Sequence, residues 1–256
     1  MDADYLVAGT GEDARKIAVR RRPGNNPGFV WLGGYRSDMA GTKAVALDEW
    51  CGENGLACCR HDYSGHGESS GKFSDGTISR WTEESLAVFD AFTSGPQILV
   101  GSSMGGWVAL LMARELKRRG ELDRLLGLLL IAPAPDFTHE LMWPKLNEAQ
   151  KNEIAEKGYL EEKSQYSDEP NIYTRALFED GEKNRVLTGP IDLGCPVHIV
   201  QGQQDPDVPY QHAMKLAEHL PSDDVTVTMV RDGDHRLSRP EDIELLLRVA
   251  GNLAGI

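Results

Sequence analysis

The stretch LVGSSMGGWVAL, residues 99–110, indicates the fold of this chain more clearly than any other. The apolar run QILV leads into a group of small residues, and a segment with helical spacing follows. A strand, a tight turn and a helix are therefore predicted to meet at residues 101–106. This is the context in which a G-x-S-x-G pattern presents a serine at a strained strand-to-helix turn.

Two serines stand side by side in this turn, and the spacing decides between them. The residues two before and two after the central one come close together, so both must be small. With Ser103 at the centre they are Gly101 and Gly105, whereas Ser102 would place a valine and a methionine there. We therefore predict Ser103 as a nucleophile. For the pattern alone, the alternative is a glycine-rich strand-to-helix turn that binds a phosphate or has no ligand.

The same turn predicts where an oxyanion would be stabilised. The amides at the start of the helix, beginning with that of Met104, face the position where negative charge would develop. A second amide is expected from the loop GGYRSDM, residues 33–39, which follows the strand GFVWL. We assign it to Tyr35. The alternative is an ordinary strand-to-helix loop in which Asp38 caps the next helix.

A serine hydroxyl needs a base, and the base needs an orienting carboxylate. After a serine in this kind of turn, the acid comes next along the chain and the histidine last. His235 stands in a loop directly after the last predicted strand, VTVTMV, and we predict it as the base. The strand and turn VHIVQGQQDPDVP offer two acids, of which Asp205 is preferred because it comes first after the turn; Asp207 is the alternative. Asp232 and Asp234 flank the histidine too closely and are predicted to cap the loop. The remaining histidines precede the serine or lie in an insertion, a strand or a helix: His61, His66, His139, His198, His212 and His219.

Apolar strands alternate with amphipathic helices along most of the chain, which predicts an α/β fold with a mostly parallel sheet and helices on both faces. Strands are expected at 16–20, 28–34, 56–62, 97–101, 125–132, 197–201 and 225–230, and helices near 39–54, 78–93, 104–119 and 240–253. We interpret residues 1–256 as a single domain in which residues 136–190 form a small, mostly helical cap insertion over the strand ends. A peripheral decoration is the alternative for the insertion.

Composition excludes several classes of function. The net charge of −13 argues against nucleic-acid binding, and the triplet Arg20–Arg22 is interpreted as a solvated strand end. Four cysteines without a paired spacing predict reduced thiols and no metal site. The longest apolar run, residues 125–132, is too short to span a membrane, and no secretory signal is visible in the first thirty residues. We therefore expect a cytoplasmic protein, and the sequence gives no indication of oligomeric state.

Six motifs together resemble one group of proteins over essentially the full chain: GGYRSDM, HDYSGHGES, GSSMGGW, SDEP, ALFEDG and GDHRLS. The chain is similar to serine hydrolases of the α/β-hydrolase fold. Within them it resembles the mitochondrial abhydrolase-domain group described as palmitoyl-protein thioesterases and acyl-glucuronide esterases, with its bacterial relatives. The resemblance implies Ser103 as nucleophile, Asp205 as acid and His235 as base, with the amides of Tyr35 and Met104 as oxyanion donors. Where this fold often has a histidine before the oxyanion glycine, this sequence has Gly33.

The expected activity is hydrolysis of a small-molecule acyl ester or thioester through an acyl-enzyme, which requires no metal or organic cofactor. An acyltransferase or perhydrolase with the same triad and a non-catalytic ligand-binding protein are the alternatives. Leu141, Met142 and Trp143 are expected either to line an acyl pocket or to pack within the cap. Arg36 would either bind an anionic group or pair with an acid at the surface.

Overall fold

The computed structural model describes residues 2–163, 170–221 and 224–256. Among these residues eight strands form one sheet, in the order β1-β2-β4-β3-β5-β6-β9-β10. Two further strands, β7 and β8, pair with each other. The strands are β1 Asp4–Ala8, β2 Arg15–Arg22, β3 Asn25–Leu32, β4 Leu56–His61, β5 Gln97–Ser102, β6 Leu125–Ile131, β7 Tyr159–Glu162, β8 Asn171–Thr174, β9 Val197–Gly202 and β10 Val225–Val230.

The strands from β4 to β10 in this order run parallel, whereas β1 and β2 are antiparallel additions at one edge. The central strands are apolar without interruption because both faces of the sheet are covered. Every residue of β5 is buried, and so are the last five residues of β3. The predicted α/β fold with a mostly parallel sheet is confirmed.

Helices cover the two faces of the sheet. On one face α1 (Thr42–Glu53) and α7 (Pro240–Ala254) pack over a hydrophobic cluster, and on the other α2 (Ile78–Phe92), α3 (Met104–Arg119) and α6 (Tyr210–His219) pack over a second one. Helix α3 ends at Gly120, whose φ of +75° is left-handed, as the C-terminal cap requires. The start of α1 was predicted three residues too early. Asp38 accepts a hydrogen bond from the amide of Ala40 in a turn, so it is not the N-cap.

The insertion between β6 and β9 contains more than the predicted helices. Helices α4 (Glu148–Lys157) and α5 (Arg175–Lys183) are present, preceded by a turn of π-helix at Thr138–Met142. Strands β7 and β8 form an antiparallel pair that was not predicted, because each is only four residues long and neither alternates clearly. The segment between them, residues 164–169, lies outside the described residues, and so does the motif SDEP except for Pro170.

The insertion contacts residues that follow the carboxyl ends of β3 and β5. The Tyr35 hydroxyl donates to the carbonyl of Ile172 in β8, and the indole of Trp107 in α3 donates to that of Asn184 (3.1 Å). Buried Asp136 accepts hydrogen bonds from the amides of residues 186 and 187, at 2.8 Å each, and so joins the two ends of the insertion. These contacts place the insertion over the end of the sheet that carries the Ser103 turn.

The arginine triplet lies at the end of β2, and its side chains form ion pairs. The guanidinium groups of Arg20, Arg21 and Arg22 pair with Glu68, Asp4 and Asp48, at 2.5, 2.9 and 2.8 Å. The four cysteines are free and buried, as expected for reduced thiols. None of the helices within the described ranges has both the length and the apolar character needed to cross a membrane.

Candidate active site

Ser103 occupies the turn between β5 and α3 in a strained conformation, with φ of +54° and ψ of −118°. Non-glycine residues rarely adopt positive φ unless the surrounding structure enforces it. Here the Ser103 amide donates to the carbonyl of Ile131 (2.9 Å), and its carbonyl accepts from the amides of Gly106 (2.9 Å) and Ala134 (3.0 Å). Three hydrogen bonds therefore hold the turn in this conformation.

The glycines on either side of Ser103 are required by close backbone contacts. A Cβ at Gly101 would overlap the carbonyl oxygen of Gly105 and lie 2.8 Å from the Cα of Gly106. A Cβ at Gly105 would overlap the carbonyl of Leu32 at the end of β3 and lie 2.6 Å from that of Gly33. Gly101 is therefore small for the reason that the spacing predicted, since the backbone two residues after Ser103 lies against it. Gly105 is small for a different reason, since the end of β3 approaches it.

The structure brings Ser103, His235 and Asp205 together. The Nε2 atom of His235 lies 3.1 Å from Ser103 Oγ, and its Nδ1 atom lies 2.8 Å from Asp205 Oδ2. The aspartate side chain is fully buried, and that of the histidine is 16% exposed. Since a carboxylate can only accept, Nδ1 carries the proton in this arrangement and Nε2 accepts from the serine hydroxyl. Residues separated by up to 132 positions thus form one hydrogen-bonded path.

Backbone and side-chain donors fix the Asp205 carboxylate in place. Its Oδ1 accepts from the amides of Asp207 (2.9 Å) and Val208 (2.8 Å). Its Oδ2 accepts from the Gln201 side-chain amide (3.2 Å) as well as from His235. Gln201 is a buried polar residue at the end of β9, and sequence reasoning missed it. Its only signal was a polar residue at the carboxyl end of an otherwise apolar strand.

The loop that carries His235 is held from several sides. Asp234 caps it as predicted, accepting from the amides of Arg236 and Leu237 at 3.0 Å each. Asp232 instead forms an ion pair with Arg239 (2.7 Å). The Lys43 ammonium group, on α1, donates to the carbonyl of Arg236. Burial lowers the pKa of Lys43 to about 8.

We name residues 33–39 the oxyanion loop, after the role that the sequence predicts for them. It runs close to Ser103, because a Cβ built on Gly34 would lie 3.4 Å from the Cβ of the serine. The amide of Tyr35 belongs to the peptide that follows Gly34. Met104 is the first residue of α3, and the amides of a first helical turn have no acceptor within the helix. Besides its bond to Ile172, the Tyr35 side chain stacks on Tyr173, with ring centroids 5.4 Å apart. Burial raises the pKa of this tyrosine well above its usual value.

The residues expected near the substrate have clear packing partners. Leu141 and Met142 pack against the larger hydrophobic cluster, and Trp143 contacts the ring of Phe178 at 5.4 Å between centroids. This favours packing within the cap for the tryptophan, and the acyl-pocket role stays a prediction. The Arg36 guanidinium donates to the carbonyl of Pro170 (2.7 Å) and lies 5.0 Å from the Phe73 ring. Its contact with an anionic group also stays a prediction.

Across the described part of the chain, one group of side chains is close enough to share a metal ion: Asp205, Asp207 and His235. Both carboxylate oxygens of Asp205 already accept N–H hydrogen bonds, so an ion there would compete with them. The other histidines have partners of their own. His61 contacts Ser85, His198 contacts Thr228, His212 contacts the Pro135 carbonyl, His219 contacts that of Lys215, His139 contacts Glu182, and His66 contacts the oxyanion loop.

The fold and the serine turn define a class of protein, and comparison with known proteins gives the same class. The sequence model of the alpha/beta hydrolase family matches residues 27–244. A curated human relative, palmitoyl-protein thioesterase ABHD10, mitochondrial, is 35% identical over 243 residues, which are 94% of this chain and 77% of that protein. The chain belongs to the alpha/beta hydrolase family.

Two solved structures are similar over nearly the whole chain. A crystal structure from Agrobacterium vitis S4 shares 56% identity with a TM-score of 0.96, covering 99% of this chain and 98% of that one. The alpha/beta hydrolase domain-containing protein 10 from mouse shares 33% identity with a TM-score of 0.87, covering 99% and 98%. The expected resemblance is confirmed. The cytoplasmic location stays a prediction, since the name of the curated relative gives a mitochondrial one.

Proposed function

We propose that this chain is a serine hydrolase that cleaves carboxylic ester or thioester bonds through an acyl-enzyme. Ser103 is the nucleophile, His235 the general base and acid, and Asp205 the orienting carboxylate. The observation that carries the proposal is the continuous path Asp205–His235–Ser103, with heavy-atom distances of 2.8 and 3.1 Å. These are the distances that proton transfer between such groups requires.

The first half of the reaction acylates the serine. Ser103 Oγ attacks the acyl carbon while Nε2 of His235 takes the hydroxyl proton, and the carbonyl oxygen becomes an oxyanion. The amides of Tyr35 and Met104 donate to that oxyanion, helped by the dipole of α3. As the bond from the acyl carbon to oxygen or sulfur breaks, His235 returns the proton to the departing alcohol or thiol. The second half repeats these steps with water as nucleophile and releases a carboxylic acid and free Ser103.

The role of Asp205 follows from the charge on the imidazole. When His235 becomes an imidazolium, the buried carboxylate 2.8 Å from Nδ1 stabilises the positive charge and keeps the ring oriented. The amide donors on the carboxylate hold it in place during this change. The 35% identical relatives named palmitoyl-protein thioesterases support an acyl thioester as one substrate class, alongside oxygen esters.

The test uses the two adjacent serines as a matched pair. We expect Ser103→Ala to abolish hydrolysis of p-nitrophenyl butyrate and labelling by a fluorophosphonate probe, since loss of the serine in a related triad costs about 10⁶-fold in kcat. Ser102→Ala, in the same turn, should keep both. A Ser103→Ala protein with wild-type turnover would contradict the proposal. Wild-type protein that binds acyl esters but takes no probe would favour the non-catalytic alternative.

A second measurement separates hydrolysis from acyl transfer. The same ester is supplied with increasing alcohol or hydrogen peroxide, and the products are quantified. We expect the free acid to dominate until the acceptor approaches molar concentration. A new ester or peracid that dominates at millimolar acceptor would assign the chain to acyltransferases or perhydrolases. Esters and thioesters graded by acyl length, run on the wild-type protein, then define the preferred substrate.

A further inference from the structure

The motif HDYSGHGES, residues 61–69, packs beside the oxyanion loop, and the proposed mechanism gives it no role. We propose that His66 is a positioning residue that fixes the Tyr35–Arg36 segment and so holds the Tyr35 amide in place for the oxyanion. This inference rests on the proposed function, because it concerns a donor that only acyl transfer would use. It adds to that function a residue that never touches the substrate.

The contact joins His66 to the residue that follows the donor. The amide of Arg36 donates to His66 Nε2 at 3.2 Å. Arg36 has a φ of +58°, which is left-handed and unfavourable for a residue with a Cβ. Such a conformation persists only where neighbouring groups enforce it. Because Tyr35 and Arg36 are adjacent, relaxation at Arg36 would rotate or shift the Tyr35 peptide as well.

The contact of His66 Nδ1 determines which ring nitrogen carries the hydrogen. His66 Nδ1 lies 3.2 Å from the carbonyl of Ser64, and a carbonyl can only accept. Nδ1 therefore carries the hydrogen, which leaves a lone pair on Nε2 for the Arg36 amide. Burial lowers the pKa of His66 to about 4, so the ring is neutral near pH 7. Both ring nitrogens thus have the roles that the proposal needs.

Aromatic rings fix the plane of the imidazole. His66 lies between Tyr63, Phe73 and Trp81, with centroid distances of 5.6, 5.0 and 5.4 Å and interplanar angles of 63–79°. Only 5% of the residue is exposed. A ring held in this way cannot follow a moving loop, so it acts as a rigid reference for the Arg36 amide.

Other contacts hold the rest of the oxyanion loop. Asp62 Oδ1 accepts from the amide of Met39 at 2.6 Å, at the far end of the loop. The Tyr35 side chain is held by the cap through Ile172 and Tyr173. The turn around Tyr35 and Arg36 is closed by the Ser37 amide, which donates to the carbonyl of Gly34 at 3.1 Å, and the Arg36 side chain donates to Pro170. His66 adds a buried side-chain acceptor for the Arg36 amide itself, directly after the donor.

The test replaces the acceptor while keeping the ring. In His66→Phe we expect kcat for p-nitrophenyl butyrate to fall about 10- to 100-fold with KM changed less than about 2-fold, because a donor displaced by a fraction of an ångström loses transition-state stabilisation. Affinity for a trifluoromethyl ketone, which forms an oxyanion on Ser103, should fall in proportion to kcat/KM. In His66→Gln the side-chain carbonyl can reach the Arg36 amide, and most of the activity should return.

His61 supplies the matched control, since it is also a buried histidine, and its side-chain hydrogen bond goes to Ser85 at 3.0 Å in α2 rather than to the oxyanion loop. Its ring also contacts that of Tyr63, with centroids 5.2 Å apart. His61→Phe should leave kcat within about 2-fold of the wild type. If His66→Phe does not fold, His66→Asn repeats the test, because its side chain can reach Ser64 but not Arg36.

Three results would overturn the inference: a folded His66→Phe protein with wild-type kcat and ketone affinity, a loss of kcat no larger than in His61→Phe, or no recovery in His66→Gln. Failure of the proposed function gives a different result. There the wild-type protein itself would show no turnover that depends on Ser103, which would overturn both.

Discussion

The Asp205 carboxylate shows how single hydrogen bonds determine a role at the residue scale. Two backbone amides and the Gln201 side chain direct its oxygens, and Oδ2 is left facing His235 Nδ1 at 2.8 Å. Asp207, two residues later, donates its amide to this arrangement. The two acids that the sequence offered thus differ in a way that an experiment can measure.

Asp205→Asn should lower kcat by about 10³–10⁴-fold without changing the fold. An asparagine can present its NH₂ group to Nδ1, which would then have to accept, and the imidazole would carry its hydrogen on Nε2, where the serine needs an acceptor. The same substitution in a related triad costs about 10⁴-fold. Turnover of p-nitrophenyl butyrate at pH 7.5 measures the loss, and circular dichroism confirms the fold.

Asp207→Asn is the control for this prediction. Its backbone amide still donates to Asp205, so kcat should stay within about 5-fold of the wild type. If Asp207→Asn were the inactive variant and Asp205→Asn the active one, the assignment of the orienting acid would be reversed.

At the scale of elements, the site depends on how closely β3, β5 and α3 approach one another. The turn that carries Ser103 fits only because backbone atoms of α3 contact Gly101 and the end of β3 contacts Gly105. Rigid elements meet there on all sides, so an added methyl group has no flexible neighbour to displace.

Gly101→Ala should therefore destabilise the protein by about 3 kcal/mol or more, since overpacking against backbone lies at the upper end of such effects. Gly120→Ala, at the end of the same helix, is the matched control. Nothing lies within 4 Å of a Cβ there, and only the φ of +75° is unfavourable, so about 1 kcal/mol is expected. Urea unfolding measures both. Equal costs would show that the turn can relax around Gly101.

Some elements could be predicted from the sequence and others could not, for physical reasons. The central strands are buried on both faces and read as continuous apolar runs, and α3 was predicted with its bounds because Gly120 ends it clearly. Strands β7 and β8 are four-residue segments in the cap, too short to establish a period. The start of α1 was placed too early because an aspartate in a turn resembles an N-cap.

At the scale of the whole molecule, the site residues that could be predicted from the sequence are those in the segments that follow strands. Ser103, Asp205 and His235 each occupy loops or turns at the carboxyl ends of parallel strands, which topology gathers at one edge. Gln201 donates to Asp205 four residues later, and His66 accepts from the amide of Arg36 in another loop. Their residue types carry no periodic signal, so only the folded contacts reveal them.

Acid should destabilise the whole molecule through its buried histidines. Burial lowers the pKa of His61 and of His66 to about 4, below the usual value of about 6.5 for an imidazole. The unfolded chain therefore binds more protons than the native one as the pH falls below about 6.5, and the free energy of unfolding decreases until about pH 4. Burial also raises the pKa of Asp62 and Asp136, and protonation of these carboxyls favours the folded state and opposes the trend.

We expect the free energy of unfolding to fall by about 2–4 kcal/mol between pH 7 and pH 5, since each histidine contributes up to about 1.4 kcal/mol per pH unit in that range. Urea unfolding at pH 7, 6 and 5 measures the slope. Burial lowers the pKa of His198 and His212 as well, so His61→Phe removes one of several groups and should reduce the slope by up to about half, even if its stability at pH 7 is lower. Because the test compares slopes, a packing defect in the variant shifts every point equally and does not affect the result. Parallel slopes for the wild type and His61→Phe would mean that the pKa of His61 is the same in the native and unfolded states, and would contradict the prediction.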